Sequence, residues 1–529
     1  MKMKKILAMI LALVTTLSLV ACGGDKPAED TPKEEPVGAP EEITPADPEA
    51  EYEEYVWLAW NDLDSPDPHN RVSSEGEIVT TMTFNTVTYL NPDSGELEPE
   101  LAHSWEGSPD NTEWTFYLQE GVTFCNGNPF TADDVKFTWE YAATNTGNVL
   151  KPIGATDYVK EIVVEDDYTV KFILNAPMAD FANYLDTKIY DAESFSDSQY
   201  TKEEAGAIGT GPYVFDWEQW QPGQQFVLVR NENYWEGTEE YPTKYIGWKV
   251  IADESAQLNA LATGQVDVLP MVAFSNYTLL ESNPELKPVI RDGAMIYHMA
   301  FNYRLPIMND LKVRTALAQA INKEDIVNIF FEGGIGGFAH DNYCPPTGLG
   351  YSDKIETIKY DPDAAREVLE PLNLKLTLGC YAANQKLCEV IQANLKEVGV
   401  ETTIYIADNW DAYKREGTGY DIYAEFGSYA GALLHNFNRF FSRGAGSNPY
   451  QYDSQEFEDL MAECRAAGSY EEMVAKFEEL QQHIATDVAS FPLAVSNILV
   501  GARSDVEGLQ LKPTVNTHDF AKVRIPARG

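Results

Sequence analysis

Basic residues are scarce in this chain: 38 Lys and Arg stand against 84 Asp and Glu, a formal net charge of −46 over 529 residues. Such a balance repels phosphate backbones and anionic lipid, which excludes nucleic-acid binding and docking on a membrane through a basic face. Cysteine is scarce too, at 6 residues with no CxxC pair, so a zinc ribbon and a disulfide-stapled scaffold are both excluded. The 7 histidines are scattered at positions 69, 103, 298, 340, 435, 483 and 518, and neither HExxH nor GxSxG occurs. Zincin and nucleophile-elbow chemistry therefore have no residues to work with. Nothing in the chain asks for a metal or a cofactor. Paired carboxylates are too abundant in so acidic a chain to mark a catalytic site.

What is present begins with an address. Lys2, Lys4 and Lys5 precede the apolar run Ile6 to Val20, which is shorter than the roughly 20 residues a membrane span needs. It ends in Leu19-Val20-Ala21-Cys22, which resembles a bacterial lipobox. The expectation is a signal peptide over 1–22, with Cys22 lipidated as the first mature residue, on the outer face of the cell membrane. Residues 23–54 follow as an acidic, Pro-rich tether, with two lysines among twelve carboxylates and six prolines from Asp25 to Glu54. That composition buries too little apolar surface to offset its ordering entropy. Five cysteines remain after Cys22, so at least one is unpaired if all bridges are intramolecular; Cys380 and Cys388 are the closest pair in sequence.

The most informative stretch is Gly95 to Tyr141. Trp114, Phe116 and Leu118 alternate with Thr115 and Tyr117, the period-two pattern of a half-buried strand. Asn126-Gly127-Asn128-Pro129 is a turn, and Thr131 with Asp134 starts a helix carrying Val135 and Trp139 on one face. Read together, Glu98-Pro99-Glu100-Leu101-Ala102, Ser104-Trp105-Glu106, Gly121-Val122-Thr123-Phe124 and Thr131 to Val135 resemble the family 5 extracellular solute-binding proteins. These are the receptors of peptide- and nickel-type ABC importers. Ala207 to Tyr213 (AIGTGPY) and Val229 to Trp235 (VRNENYW) carry the same resemblance. No Lys-Ser or Lys-Thr follows Gly209-Thr210-Gly211, so the turn is no Walker loop.

Further along, Leu374–Leu378, a helix near Asn384–Val398 ended by Gly399, and Val400–Ile406 form a strand–helix–strand unit, which favours a parallel sheet and an α/β fold. Tyr297 to Asn302 reads as a short strand, and the chain after Phe491-Pro492-Leu493 as a run of short ones. The resemblance implies a two-lobed periplasmic-binding-protein-like α/β fold. Its first lobe would be discontinuous (55–94, 206–298 and 491–529), with an extra module at 95–205 and a second lobe at 299–490. It also implies a monomer that captures a peptide-like or small metal-chelate solute between lobes by hinge closure and hands it to a membrane permease pair driven by ATPases. A secreted, lipid-anchored hydrolase of glycosidase type using two carboxylates is the alternative.

The segment Tyr420 to Arg443 departs from the family pattern. Ser428 stands where peptide-binding relatives carry a Trp, and Tyr429 to Leu434 contains no carboxylate to meet an α-ammonium. Lys188 falls where nickel-type relatives have an Arg, and Gly446 where they have a metal-binding His. The candidate ligand contacts are therefore Tyr429, His435, Tyr381, Tyr303, His69 and Lys188, the last suited to an anionic group.

Overall fold

The computed structural model describes residues 45–47, 50–71, 73–91, 94–144, 158–407, 419–429, 433–445, 448, 450–513 and 518–527. Cys22, most of the tether and Gly446 lie outside them. Chain contacts divide at residue 37/38, and everything below concerns the second unit. Among the described residues no helix is long and apolar enough to cross a membrane.

Three bodies share this unit. An eleven-stranded mixed sheet carries two of them. At one end Tyr55–Trp60 runs parallel to Tyr245–Val250 and to Val268–Leu269. Its inward side chains Val56 and Leu58 join Phe226, Leu228 and Ile246 in the first lobe's core. At the other end Lys375–Cys380 runs parallel to both Glu401–Ile406 and Ile422–Ser428. The helix Gln385–Glu397 crosses between the first two, burying Leu387, Ile391 and Leu395. Gly399, at φ +84°, ends that helix in a conformation other residues adopt only under strain. The strand–helix–strand expectation is met here.

Two long antiparallel strands, Leu286–Phe301 and Ser490–Arg503, join the lobes. Each passes from one core to the other: Phe491 and Leu493 pack in the second lobe, Val500 and Ala502 in the first. The short strands expected here are thus parts of two continuous ones. Register shifts between Asp292 and Met295 and between Tyr297 and His298 change the phase of the inward–outward alternation, so no single period runs through the sequence. Pro492 sits at the second shift, where a missing N–H costs little.

The crossing point lies at Gly293. A Cβ there would stand 2.3 Å from the Ser496 carbonyl oxygen, while the next amide, Ala294, donates to Pro513 O at 2.6 Å. Gly293→Ala must push two backbones apart. It is expected to cost about 1–3 kcal/mol by urea denaturation; a loss below ~0.5 kcal/mol would show that the crossing has slack.

The third body is the module around Trp139. A four-stranded antiparallel sheet, with Ala102–Gly107, Glu113–Leu118, Thr169–Leu174 and Val159–Asp166 in that spatial order, packs on the helix Ala132–Thr144. The alternation read from Trp114 to Leu118 is met: Trp114, Phe116 and Leu118 face the core with Val135 and Trp139. Asp134 caps the helix backwards, its Oδ2 accepting from Thr131 N at 2.7 Å and Oγ1 at 3.1 Å.

Candidate functional site

A cavity of about 590 Å³ opens where the three bodies meet, within the range of small-molecule sites. Its floor is the C-terminal end of the helix Ser74–Thr83, held close by the Gly209-Thr210-Gly211 turn. A Cβ on Gly209 would lie 2.1 Å from Thr83 O, and one on Gly211 2.5 Å from Thr83 C. The glycines serve backbone-on-backbone packing, and Thr210 Oγ1 donates to Asn85 Oδ1 at 3.1 Å.

The second lobe supplies Thr347, Gly348, Leu349 and Tyr429. Tyr429 follows the strand Ile422–Ser428, where its amide donates to Ala294 O at 2.9 Å, beside the crossing of the long strands. Its ring covers Gly348, and its hydroxyl donates to Leu349 O at 3.4 Å. Burial pushes that phenol well above its ordinary range. The ring is thus a fixed wall, 5% exposed.

Charge dominates the opposite wall. Glu77, Glu98, Glu100, Asp186, Glu236 and Asp519 face the cavity, against Lys188, Lys512 and Lys522. Lys188 Nζ is 2.6 Å from Glu77 Oε1, and the other Glu77 oxygen pairs with Arg71. Burial, reinforced by the Arg71 charge, pulls the Lys188 ammonium down, against the nearby carboxylates Asp186 and Glu100. Burial in turn raises Glu100, although Asn85 and Thr86 donate to its carboxylate at 2.9 and 2.6 Å. Burial also raises Asp186 and Asp519. A cation entering the cavity would relieve these carboxylates; an anion would add to their strain.

Of the residues singled out from sequence, Tyr429 and Lys188 line this cavity. His69 lies behind Lys188: its Nε2 is 2.7 Å from Lys188 O, its ring meets Tyr190 edge-on, and burial lowers it to about 3, so it is neutral. Tyr303 is packed in the second lobe, donating to Ala489 O at 3.1 Å with Arg314 over its ring. Tyr381 packs near Phe426. His435 lies at a separate seam between module and second lobe. Sequence reasoning missed Glu236 and Asp519, which in a chain of 84 carboxylates carry no local mark; only the convergence of the Glu236 loop and the C-terminal segment on the cavity singles them out. All five described cysteines are free, Cys380 and Cys388 included.

Known proteins share this fold. The model of the bacterial extracellular solute-binding proteins, family 5, matches residues 96–448, more than half of the chain. The dipeptide-binding protein of Escherichia coli K12 is 25% identical over 483 residues, 84% of this chain and 89% of that one. The periplasmic binding protein DppA of Helicobacter pylori, solved with the peptide STSA, is 26% identical. It superposes with a TM-score of 0.73 over 90% of this chain and 99% of its own. The fold is also that of the ABC transporter substrate-binding protein CtaP of Listeria monocytogenes, with a TM-score of 0.80 at 20% identity over 90% of this chain and 100% of that one. The chain belongs to the family 5 bacterial extracellular solute-binding proteins, two-lobed receptors that serve ABC transporters outside the cytoplasm and are not enzymes.

Proposed function

We propose that the cavity captures a peptide-like solute carrying positive charge and that the lobes close on it about the Gly293 crossing. The observation that carries this reading is the excess of carboxylates over lysines around a cavity of about 590 Å³. The usual acidic partner of a peptide ammonium is missing from Tyr429 to Leu434; here Glu98, Glu236 and Asp519 supply negative charge from the opposite wall. Tyr429 gives a rigid flat surface, and Lys188, already tied to Glu77, takes a solute carboxylate. Cys22 carries the lipid anchor, 23–54 hold the body off the membrane, and 55–94 with 206–298 and 491–529, 95–205, and 299–490 are the three bodies. The receptor works as a monomer with a permease pair and its ATPases. Relatives that bind peptides support the solute class.

Titration calorimetry with tri-lysine, tri-alanine and tri-glutamate tests the reading. Tri-lysine is expected to bind at least about tenfold more tightly than tri-alanine, ~1.4 kcal/mol, with tri-glutamate weakest. Tyr429→Ala is expected to weaken tri-lysine by about tenfold or more. A preference for tri-glutamate, or an affinity unchanged by Tyr429→Ala, would overturn it.

A further inference from the structure

Away from the cavity, the module touches the second lobe along a seam that no solute need enter. Asn111 Nδ2 donates to Gly468 O at 3.3 Å, and Ala179 is buried among second-lobe side chains. At the centre of the seam lies a space of about 10 Å³, lined by Tyr158, Asp180 and Tyr184 of the module and by His435, Asn438 and Arg465 of the second lobe. It is too small for more than about one water.

Asp180 is out of place there. It is 2% exposed, and neither carboxylate oxygen has a hydrogen-bond partner among the described residues. Arg465, the nearest cation, donates to Asn438 Oδ1 at 2.8 Å instead. An ionised carboxylate with no donor is among the costliest groups to bury. Among the described residues the charged and titratable groups facing the pair are Tyr158 and Tyr184 from the module, Arg465 from the helix Gln455–Arg465, Arg439 from His435's own helix, and Tyr470 from the next.

We propose that Asp180 and His435 form a charge-cancelling latch across this seam: apart, in mildly acid solution, they are a carboxylate and an imidazolium in water, and on closure the proton leaves the imidazolium and the carboxylate takes one up. Both then enter the seam neutral, and closing exchanges no net proton with solvent. The latch rests on the reading that the lobes close on a solute, but its operation needs none. Two opposed linkages follow. Burial holds Asp180 at about 7 in the closed seam, against an ordinary 3.8. Alone, it takes up a proton on closing and favours closure as pH falls from about 7. Burial, with Arg439 adding to it, holds His435 at about 4 against an ordinary 6.5. Alone, it releases a proton on closing and disfavours closure as pH falls below about 6.5. Together they nearly cancel.

The test is dipolar electron resonance on the solute-free full chain, with nitroxide-bearing residues in place of the exposed Glu113 and Glu471, reading the closed-to-open ratio from pH 8 to pH 5. The parent chain is expected to change by less than about fivefold. His435→Gln is expected to raise the ratio about tenfold or more as pH falls, Asp180→Asn to lower it about tenfold or more, and the double variant to be flat again. The same pH profile in all four proteins, flat or sloped, overturns the latch. Because no solute is present, that failure is distinct from a failure to bind peptides.

Discussion

Glu77→Gln is expected to destabilise the protein by about 3–5 kcal/mol, the range for breaking a buried ionic cluster by removing one partner. Glu77 stands between two cations. One of its oxygens holds Lys188 Nζ at 2.6 Å and the other pairs with Arg71, and the three side chains are only 12–16% exposed. Arg71 Nε already has no hydrogen-bond partner among the described residues, so the guanidinium has little else to lean on besides the charges of Asp64 and Asp67. In the variant two positive charges face each other across a neutral amide, and Lys188, pulled down by burial and by Arg71, is driven down further. The sign follows: the folded variant binds fewer protons at Lys188 than the unfolded chain does, so its stability rises with pH through the neutral and alkaline range. Urea unfolding of parent and variant at pH 6 and pH 9 should therefore show a gap that narrows at the higher pH. A loss below ~1 kcal/mol, or a gap that widens, would mean that Glu77 does not hold these cations.

The second large effect lies in the module. Trp139→Ala should cost about 3–5 kcal/mol, whereas Trp139→Phe should cost about 1 kcal/mol or less. Trp139 is 2% exposed, with its ring 5.3 Å from Phe172 and 6.0 Å from Phe181. Truncation to Ala leaves a cavity that the surrounding sheet can only partly fill. The indole Nε1, however, is buried with no hydrogen-bond partner among the described residues. That unmet donor already destabilises the native state by about 1–3 kcal/mol. Phe loses part of the packing but removes the orphaned donor, and the two changes oppose each other. Thermal or urea unfolding distinguishes them. Equal losses for Ala and Phe would mean that the Nε1 donor is satisfied in solution.

Local chemistry made much of the fold legible. The helix Pro362–Leu369 starts where Asp361 and Pro362 indicate, with Asp361 Oδ1 accepting from Ala364 N at 3.0 Å, because a cap and a proline act within one turn. The helix Glu254–Ala262 stops before Gly264, at φ +68°, for the same kind of reason. The long strands Leu286–Phe301 and Ser490–Arg503 were not legible: each serves two cores, and bulges shift its alternation midway. The site divides similarly. Tyr429 could be picked out because it follows a strand in the segment where the family pattern breaks. Tyr303 and His69 are polar residues of the kind that clefts use, but here their polar atoms are spent on backbone carbonyls. Asp519 and Glu236 reach the cavity only through tertiary structure, and Asp180 stands out only once the fold buries it with neither oxygen hydrogen-bonded among the described residues.

The most direct test of an acidic solute cavity is native mass spectrometry of the full chain equilibrated with an equimolar library of short peptides. One peptide per chain is expected, with bound peptides enriched in Lys and Arg and recovered uncleaved. Enrichment in acidic peptides, or recovery of cleaved ones, would contradict it.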